Sequence, residues 1–175
     1  EKGVREFVAA ARQLKEEGSD ARFVLVGRSD PENPSDVGPN QITAWEQEGL
    51  VEHWGFRDHM PTTLREADVV CLPSYREGSP RSLIEALATG LPLVTTDTTG
   101  CRDMVEPDGN GYLVPVGDGT ATAQAIVLLL ADPERRHRMG QRSREMAERT
   151  FAVGPFVATT FALYSQVIAR AKGKS

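Results

Sequence analysis

Two glutamates frame a glycine-bearing loop and a helix start in the segment Pro73-Ser-Tyr-Arg-Glu-Gly-Ser-Pro-Arg-Ser-Leu-Ile-Glu85. Glu77 lies in the loop and Glu85 one turn inside the helix, with seven residues between them. Ser79 reads as the N-cap and Pro80 as the first helical residue, where its missing N–H costs nothing. Gly78 lets a ligand approach the backbone closely. Unpaired N–H groups at the positive end of a helix suit a phosphate. Two carboxylates beside a bound anion would be repelled by it, so they fit better as acceptors for neutral hydroxyls on either side. A sugar nucleotide has that layout: ribose hydroxyls, a diphosphate, then sugar hydroxyls. The helix carries Leu83, Ile84 and Leu87 on one face and Ser82, Glu85 and Thr89 on the other. The competing reading of these residues alone is a solvated helix face with an ordinary cap.

The elements that must position this segment alternate between strands and helices. Val4, Phe7, Val8, Ala11 and Leu14 recur at helical spacing, which predicts a helix over 3–16 with Gly18 beyond its last turn. The apolar run Phe23–Val26 ends at Gly27 and reads as a parallel strand covered on both faces. A long loop is expected over Gly27–Asn40, a short helix over Gln41–Glu48, and a strand over Leu50–Trp54. A second short helix is expected over Met60–Ala67, and Val69–Leu72 reads as a buried strand closed by Pro73. A helix over Pro80–Thr89, strands over Pro92–Thr95 and Tyr112–Val114, and turn chemistry in Glu106-Pro-Asp-Gly-Asn-Gly111 follow. The remainder predicts helices over 118–131, 133–150 and 155–171, with Gly154-Pro155 as a break before the last. This alternation implies an α/β fold, a doubly wound parallel Rossmann-like sheet ending in several helices. Ligands of such sheets sit beyond the carboxyl ends of the strands. The loops after Val26, Trp54, Leu72 and Thr96 are therefore the candidate site. The chain opens at a helix start, Glu1-Lys2-Gly3, with no strand before it, which points to a piece of something longer.

Composition narrows the function classes. The 175 residues suit one domain, and the apolar residues with 16 glycines come to about 48%, the usual globular proportion. A net charge of −5 argues against a general nucleic-acid binder. The longest uninterrupted aliphatic run, Ala125–Ala131, falls far short of the roughly 20 residues of a spanning helix. Cys71 and Cys101 form no CxxC, which with the absence of a signal-peptide pattern fits a cytoplasmic setting. His53, His59 and His137 are scattered and no Asp-x-Asp pair occurs, so no metal site is expected. The arginines 135, 136, 138, 142, 144 and 149, interleaved with glutamates, read as a solvated helix face, with contact to an anionic membrane as the alternative.

Taken together, the blocks along the chain resemble the C-terminal, donor-binding half of family-4 retaining glycosyltransferases of the GT-B fold. The residues carrying the resemblance are Glu1-Lys2-Gly3-Val4, Phe23-Val-Leu-Val-Gly27, Trp54-Gly-Phe-Arg57 and Ala67-Asp-Val-Val-Cys-Leu-Pro-Ser74. To these are added Glu77-Gly78-x-Pro80-x-Ser82-Leu83-Ile84-Glu85-Ala86, Thr89-Gly-Leu-Pro-Leu-Val94, Gly100-Cys-Arg-Asp103 and Asp108-Gly-Asn-Gly111. Each block alone is weak; their order and spacing cover nearly the full length. The wording Pro31-Glu-Asn-Pro34, Trp45-Glu-x-Glu-Gly-Leu50 and Tyr75–Ser82 resembles bacterial enzymes that add N-acetylhexosamines or related sugars to lipid-linked glycans.

The resemblance implies roles residue by residue. Lys2 matches a lysine contacting the donor diphosphate, and the family's partner arginine falls ahead of Glu1. Glu85 matches the ribose-binding glutamate and Glu77 the one contacting the transferred sugar. Gly78, Ser79, Ser82 and Leu83 match the loop and helix start that present N–H groups to sugar and phosphates, with Ser74, Pro80 and Gly27 in the same donor-binding set. Gly55-Phe56-Arg57 matches the segment lining the base; for Phe56 plain core packing is the rival. The implied activity is transfer of a hexose or N-acetylhexosamine from a UDP-sugar to a lipid-linked glycan in cell-surface polysaccharide biosynthesis. Anomeric retention, no metal, and peripheral contact with the cytoplasmic face of the membrane are implied with it. The N-terminal acceptor domain would be the other wall of the cleft, so this chain alone is expected to turn over no acceptor. Other readings are a different GT-B-shaped sugar-nucleotide enzyme such as an epimerase, or a non-enzymatic receiver module. The receiver would want a phosphoacceptor aspartate where Val69–Leu72 is followed by Pro73-Ser74.

Overall fold

The computed structural model describes residues 1–29, 32 and 36–172, with side chains left out at 156, 171 and 172. The Pro31-Glu-Asn-Pro34 wording, apart from Glu32, lies outside the described residues, as does the middle of the loop expected over 27–40.

Five short strands alternate with helices. α1 (Val4–Glu16) buries Val8, Ala10, Ala11 and Leu14, the stripe expected from its spacing. β1 (Val24–Leu25) pairs in parallel with β2 (Glu52–His53), and α2 (Pro39–Gln47) connects them. β3 (Val70–Leu72), β4 (Leu93–Thr96) and β5 (Gly111–Val114) form a second parallel sheet in that order. Between them run α3 (Met60–Leu64), α4 (Arg81–Thr89) and a single 3₁₀ turn, Arg102–Met104, which the periodicity did not reveal. α5 (Gly119–Leu130) and α6 (Pro133–Thr150) start at Asp118 and Asp132, whose carboxylates accept from the Ala121 and Arg135 amides at 2.8 Å. Such caps satisfy donors that no helical carbonyl can reach.

The sheet is wound on both faces. Successive residues of a strand point to opposite sides, and along β4 Val94 joins one core cluster while Leu93 joins the other. The first cluster is built with α1, α2 and α5, the second with α3, α4 and α6. α1 packs on α5 and α4 on α6. The expected doubly wound parallel α/β architecture is therefore present, although the described strands fall into a pair and a triplet.

Two expectations need correction at the helical end. Gly154 and Pro155 do not break the chain before the last helix; they sit in the first turn of α7 (Val153–Lys172), where a proline removes no intrahelical bond. α7 is also more apolar than uninterrupted aliphatic runs suggested. A stretch within 133–170 is long and apolar enough, by length and composition, to cross a membrane, and none of it is buried. Phe161, Tyr164, Val167 and Ile168 are all exposed on α7. The arginines of α6, in contrast, are all paired. Arg135 meets Asp108, Arg136 meets Asp68, Arg138 meets Glu134, Arg142 meets Glu145, Arg144 meets Glu148 and Arg149 meets Glu106. This face is a lattice of compensated charge rather than a free basic patch.

At the start of β2, Arg22 holds Glu52 through Nε and Nη2 at 2.8 and 2.9 Å, and the Trp54 indole N–H donates to it at 3.1 Å. The Arg22 bond and then the Trp54 bond lower the Glu52 carboxyl to about 2. A folded pKa below the unfolded value stabilises the fold above that unfolded value, and the gain is lost as pH falls toward 2. Because the pair is largely exposed, the effect should stay under about 1 kcal/mol. Glu52→Gln should thus flatten the loss of urea stability between neutral and strongly acid pH. Equal slopes for variant and parent would exclude the linkage.

Candidate functional site

The site begins where β3 stops. Pro73 has no N–H to continue a ladder, and the chain turns at Ser74, which is fully buried. The Ser74 hydroxyl lies 2.9 Å from the Glu1 carbonyl and 2.9 Å from Glu77 Oε1. It has one proton to give. The Tyr75 N–H also donates to the Glu1 carbonyl at 2.9 Å, and of its two acceptors the Ser74 hydroxyl favours the carboxylate, the stronger one. From β4, the Thr96 hydroxyl holds the Ser74 carbonyl.

Lys2 completes the cluster. Its ammonium is 2.6 Å from Glu77 Oε1, with the Glu77 side chain 9% exposed and that of Lys2 62% exposed. The two residues are 75 apart in sequence, and close backbone contacts bring them together. A Cβ on Gly3 would lie 1.9 Å from the Pro73 carbonyl oxygen, and one on Gly100 would lie 2.6 Å from the carbonyl oxygens of Glu77 and Gly78. Both glycines also have φ in the left-handed region. Ser74 as a linchpin, the Glu1 carbonyl and the tight fit of Gly3 and Gly100 were not legible as site features. Their signal was only membership in the quoted blocks.

The cap of α4 differs from expectation. Pro80 is the N-cap, extended at ψ 104°, and the helix starts at Arg81. Its carbonyl accepts from the Leu83 and Ile84 amides at 3.0 and 3.2 Å. Ser79 is therefore one residue outside the helix, exposed and making no cap bond. The amides of Arg81 and Ser82 precede the first intrahelical bond and take no partner among the described residues. Gly78 and Ser82 are exposed beside them, while Leu83 is fully buried and anchors the tip. Glu85 shares no hydrogen bond or ion pair with Lys2, Ser74 or Glu77 among the described residues. It is half-buried, and its contact is Arg81, 3.6 Å away on the same helix.

A second group forms at the ends of β1 and β2. Gly27 donates its N–H to the Gly55 carbonyl at 2.9 Å, and His53 Nε2 lies 2.9 Å from the Gly27 carbonyl. Phe56 is 61% exposed, which removes core packing as its role. The Arg28 guanidinium sits 5.4 Å from the Phe56 ring centre, and that of Arg57 5.5 Å from the Trp54 ring. Arg28 and His53 were not among the expected site residues. A hollow of about 350 Å³ lies beyond β3 and β4, walled by Tyr75, Arg76, Thr98 and Arg102. A larger cavity of about 1130 Å³ is lined in part by Lys2 and Ser82; neither Glu77 nor Glu85 lines either space. Among the described residues no group of three or more His, Cys, Asp or Glu gathers as a metal site.

A parallel sheet wound on both faces, with its loops at the carboxyl ends of the strands, defines a doubly wound α/β domain. The family Glycosyl transferases group 1 matches residues 1–146, and the chain belongs to it. An N,N'-diacetylbacillosaminyl-diphospho-undecaprenol alpha-1,3-N-acetylgalactosaminyltransferase of Campylobacter jejuni is 34% identical over 83% of this chain and 37% of its own length. Sucrose-phosphate synthase from Thermosynechococcus elongatus superposes with a TM-score of 0.86 at 31% identity, covering 97% of this chain and 43% of that one. Anabaena HepE in complex with UDP gives a TM-score of 0.80 at 25% identity over 92% of this chain and 45% of that one. Further relatives are named for amylovoran and capsular polysaccharide biosynthesis. The chain spans about two fifths of the length of these relatives.

The Gly3 contact yields a paired test. Gly18 shares a left-handed φ of +80° but would have open space around a Cβ. Gly18→Ala should cost about 1–2 kcal/mol from the backbone alone. Gly3→Ala should cost about 1–3 kcal/mol more, because overlap with Pro73 adds to it. Urea unfolding of both variants measures the difference, and equal losses would show that the contact relaxes freely.

Proposed function

We propose that this domain is the donor-binding half of a retaining, metal-independent glycosyltransferase. In this reading it moves a hexose or N-acetylhexosamine from a UDP-sugar to a lipid-linked glycan in cell-surface polysaccharide biosynthesis. The observation that carries the reading is the Lys2–Glu77 pair on buried Ser74, at strand ends that also present the open tip of α4. HepE was crystallised with UDP, and the Campylobacter relative is named for an undecaprenol-diphosphate acceptor. Both support the choice of donor and acceptor class.

The geometry suggests how the parts divide the work. As the bond between sugar and diphosphate breaks, negative charge grows on the leaving phosphate and must be met by fixed positive groups. The amides of Arg81 and Ser82 and the Lys2 ammonium are such groups. An ammonium has three donors, so Lys2 can keep Glu77 and still reach a phosphate oxygen. Glu77, held by Ser74 and Lys2, is oriented to accept from hydroxyls of the transferred sugar. Glu85 would release Arg81 and accept from the ribose hydroxyls. The loops carrying Gly27, Gly55, Phe56 and Arg57 would flank the base. With no Asp-x-Asp pair in the chain, this cationic set is assigned the charge compensation that a metal provides elsewhere. The acceptor wall, the own N-terminal domain of the whole enzyme, and a cytoplasmic position against the membrane belong to the same proposal.

Titration calorimetry with UDP and UDP-sugars tests the reading. Glu85→Ala should weaken UDP binding by about 1.5–3 kcal/mol, the scale of a hydrogen bond to a charged group. Unchanged affinity would remove Glu85 from the site. Glu77→Ala should weaken UDP-sugar binding more than UDP binding, since its partner is the sugar. Equal losses would count against that assignment.

A further inference from the structure

The two oxygens of Glu77 are not equivalent. Lys2 Nζ lies 2.6 Å from Oε1, and the Ser74 hydroxyl lies 2.9 Å from that same atom. Oε2 has no partner among the described residues. A carboxylate turns readily about its last torsion, so some fixed group must decide which oxygen is held. Lys2 does not decide it. Its side chain is 62% exposed, and an ammonium is a point charge whose three donors impose no direction. The Ser74 hydroxyl, on a fully buried residue, is the directional donor.

What aims that hydroxyl is the peptide unit between Ser74 and Tyr75. Its N–H donates to the Glu1 carbonyl at 2.9 Å, and its carbonyl accepts from the Thr96 hydroxyl. Pinned at both ends, the unit cannot swing, and one staggered torsion, χ1, then sets the Ser74 hydroxyl. Thr96 lies on β4, is fully buried, and spends its one proton on that carbonyl. The Thr98 hydroxyl, 3.4 Å away, is therefore the donor in any contact between the two threonines. Thr95, next to Thr96, is equally buried and makes the same kind of bond, donating to the Leu72 carbonyl at 2.7 Å. The difference is in what the partner carries. Leu72 is the apolar last residue of β3, paired with Thr95 in the ladder. Ser74 carries the hydroxyl that meets Glu77.

We propose that Thr96 is a positioning residue for Glu77. By holding the Ser74 carbonyl it aims the Ser74 hydroxyl at Oε1, so that Oε2 is the oxygen left to accept from a hydroxyl of the transferred sugar. Thr96 touches no ligand itself; it acts through Ser74, from a buried position on the neighbouring strand. Gly100, pressed on the carbonyls of Glu77 and Gly78, holds the backbone of the same loop, and Thr96 supplies the orientation of its side chain. That the oriented oxygen serves a sugar rests on the donor reading above, whereas the aiming of the carboxylate does not.

The test sets Thr96→Val, which removes the hydroxyl at nearly constant shape, against Thr96→Ser, which keeps it, and Thr95→Val, which deletes the neighbouring bond. The first readout needs no ligand: the carboxyl ¹³C resonance of Glu77, with Ser74→Ala marking where it falls when the serine bond is lost. Thr96→Val should move the resonance in the same direction as Ser74→Ala, while Thr96→Ser and Thr95→Val should leave it in place. The second is calorimetry with UDP, UDP-glucose and UDP-N-acetylgalactosamine. Thr96→Val should lower the advantage of UDP-sugar over UDP by about threefold to tenfold, the scale of one hydrogen bond, with UDP affinity unchanged. Thr95→Val should keep that advantage even where it lowers Tm. An unmoved Glu77 resonance in Thr96→Val would overturn the proposal, as would equal effects of Thr96→Val and Thr95→Val. A moved resonance in a chain whose parent binds UDP-sugar no better than UDP would uphold the positioning and overturn the donor reading. Should Thr96→Val not fold, Thr96→Cys, whose thiol is a weak donor, should move the resonance the same way by less, and no movement would overturn the proposal.

Discussion

The site depends on one close approach of backbone to backbone. The N-terminal segment is pressed against the end of β3 so tightly that only hydrogen fits between Gly3 and the Pro73 carbonyl. That contact places Lys2 over Glu77 and the Glu1 carbonyl against Ser74 and Tyr75. Two long side chains free to rotate do not hold a cation and a carboxylate at a fixed separation. Here the freedom is removed from the backbone side. Gly100 does the same from the loop after β4, pressing on the carbonyls of Glu77 and Gly78. The loop holding Glu77 is thus clamped between two glycines far apart in sequence.

Charge is distributed with the same economy. Glu77 is nearly buried, and its charge is met by one ammonium and one hydroxyl. Elsewhere the arginines of α6 are each matched to a carboxylate. At the tip of α4 the amides of Arg81 and Ser82 stay open among the described residues, since its N-cap is a proline with no side-chain acceptor. A serine or aspartate cap would have filled one of those amides. Proline starts the helix and leaves those donors open.

The parallel sheet ties these features to function through its topology. Strands that run parallel bring their carboxyl ends to one side of their sheet, so the loops after β1 and β2 leave together, as do those after β3 and β4. Glu85, inside α4, shares no hydrogen bond or ion pair with the Glu77 cluster among the described residues and is turned to Arg81.

The alternation of apolar runs with amphipathic stretches was legible by itself, because burial on both faces of a parallel sheet forces continuous apolar strands and helices striped at 3.6 residues. The stop at Gly27 and the Glu77–Glu85 spacing were legible in the local sequence. The cap of α4 was misread by one residue, since Ser79 and Pro80 both satisfy local rules and the choice between them is made by how the β3–α4 loop is held from Ser74 and Gly100. Phe56 could not be assigned from its type, and only its exposure under Arg28 decided it. The apolar face of α7 escaped because Thr and Ser interrupt its aliphatic run without interrupting its surface. The pairing of Lys2 with Glu77 is wholly tertiary. Nothing in residues 75 positions apart states their distance; the packing of Gly3 on Pro73 does, because a contact that admits no Cβ leaves the backbone only one place to be.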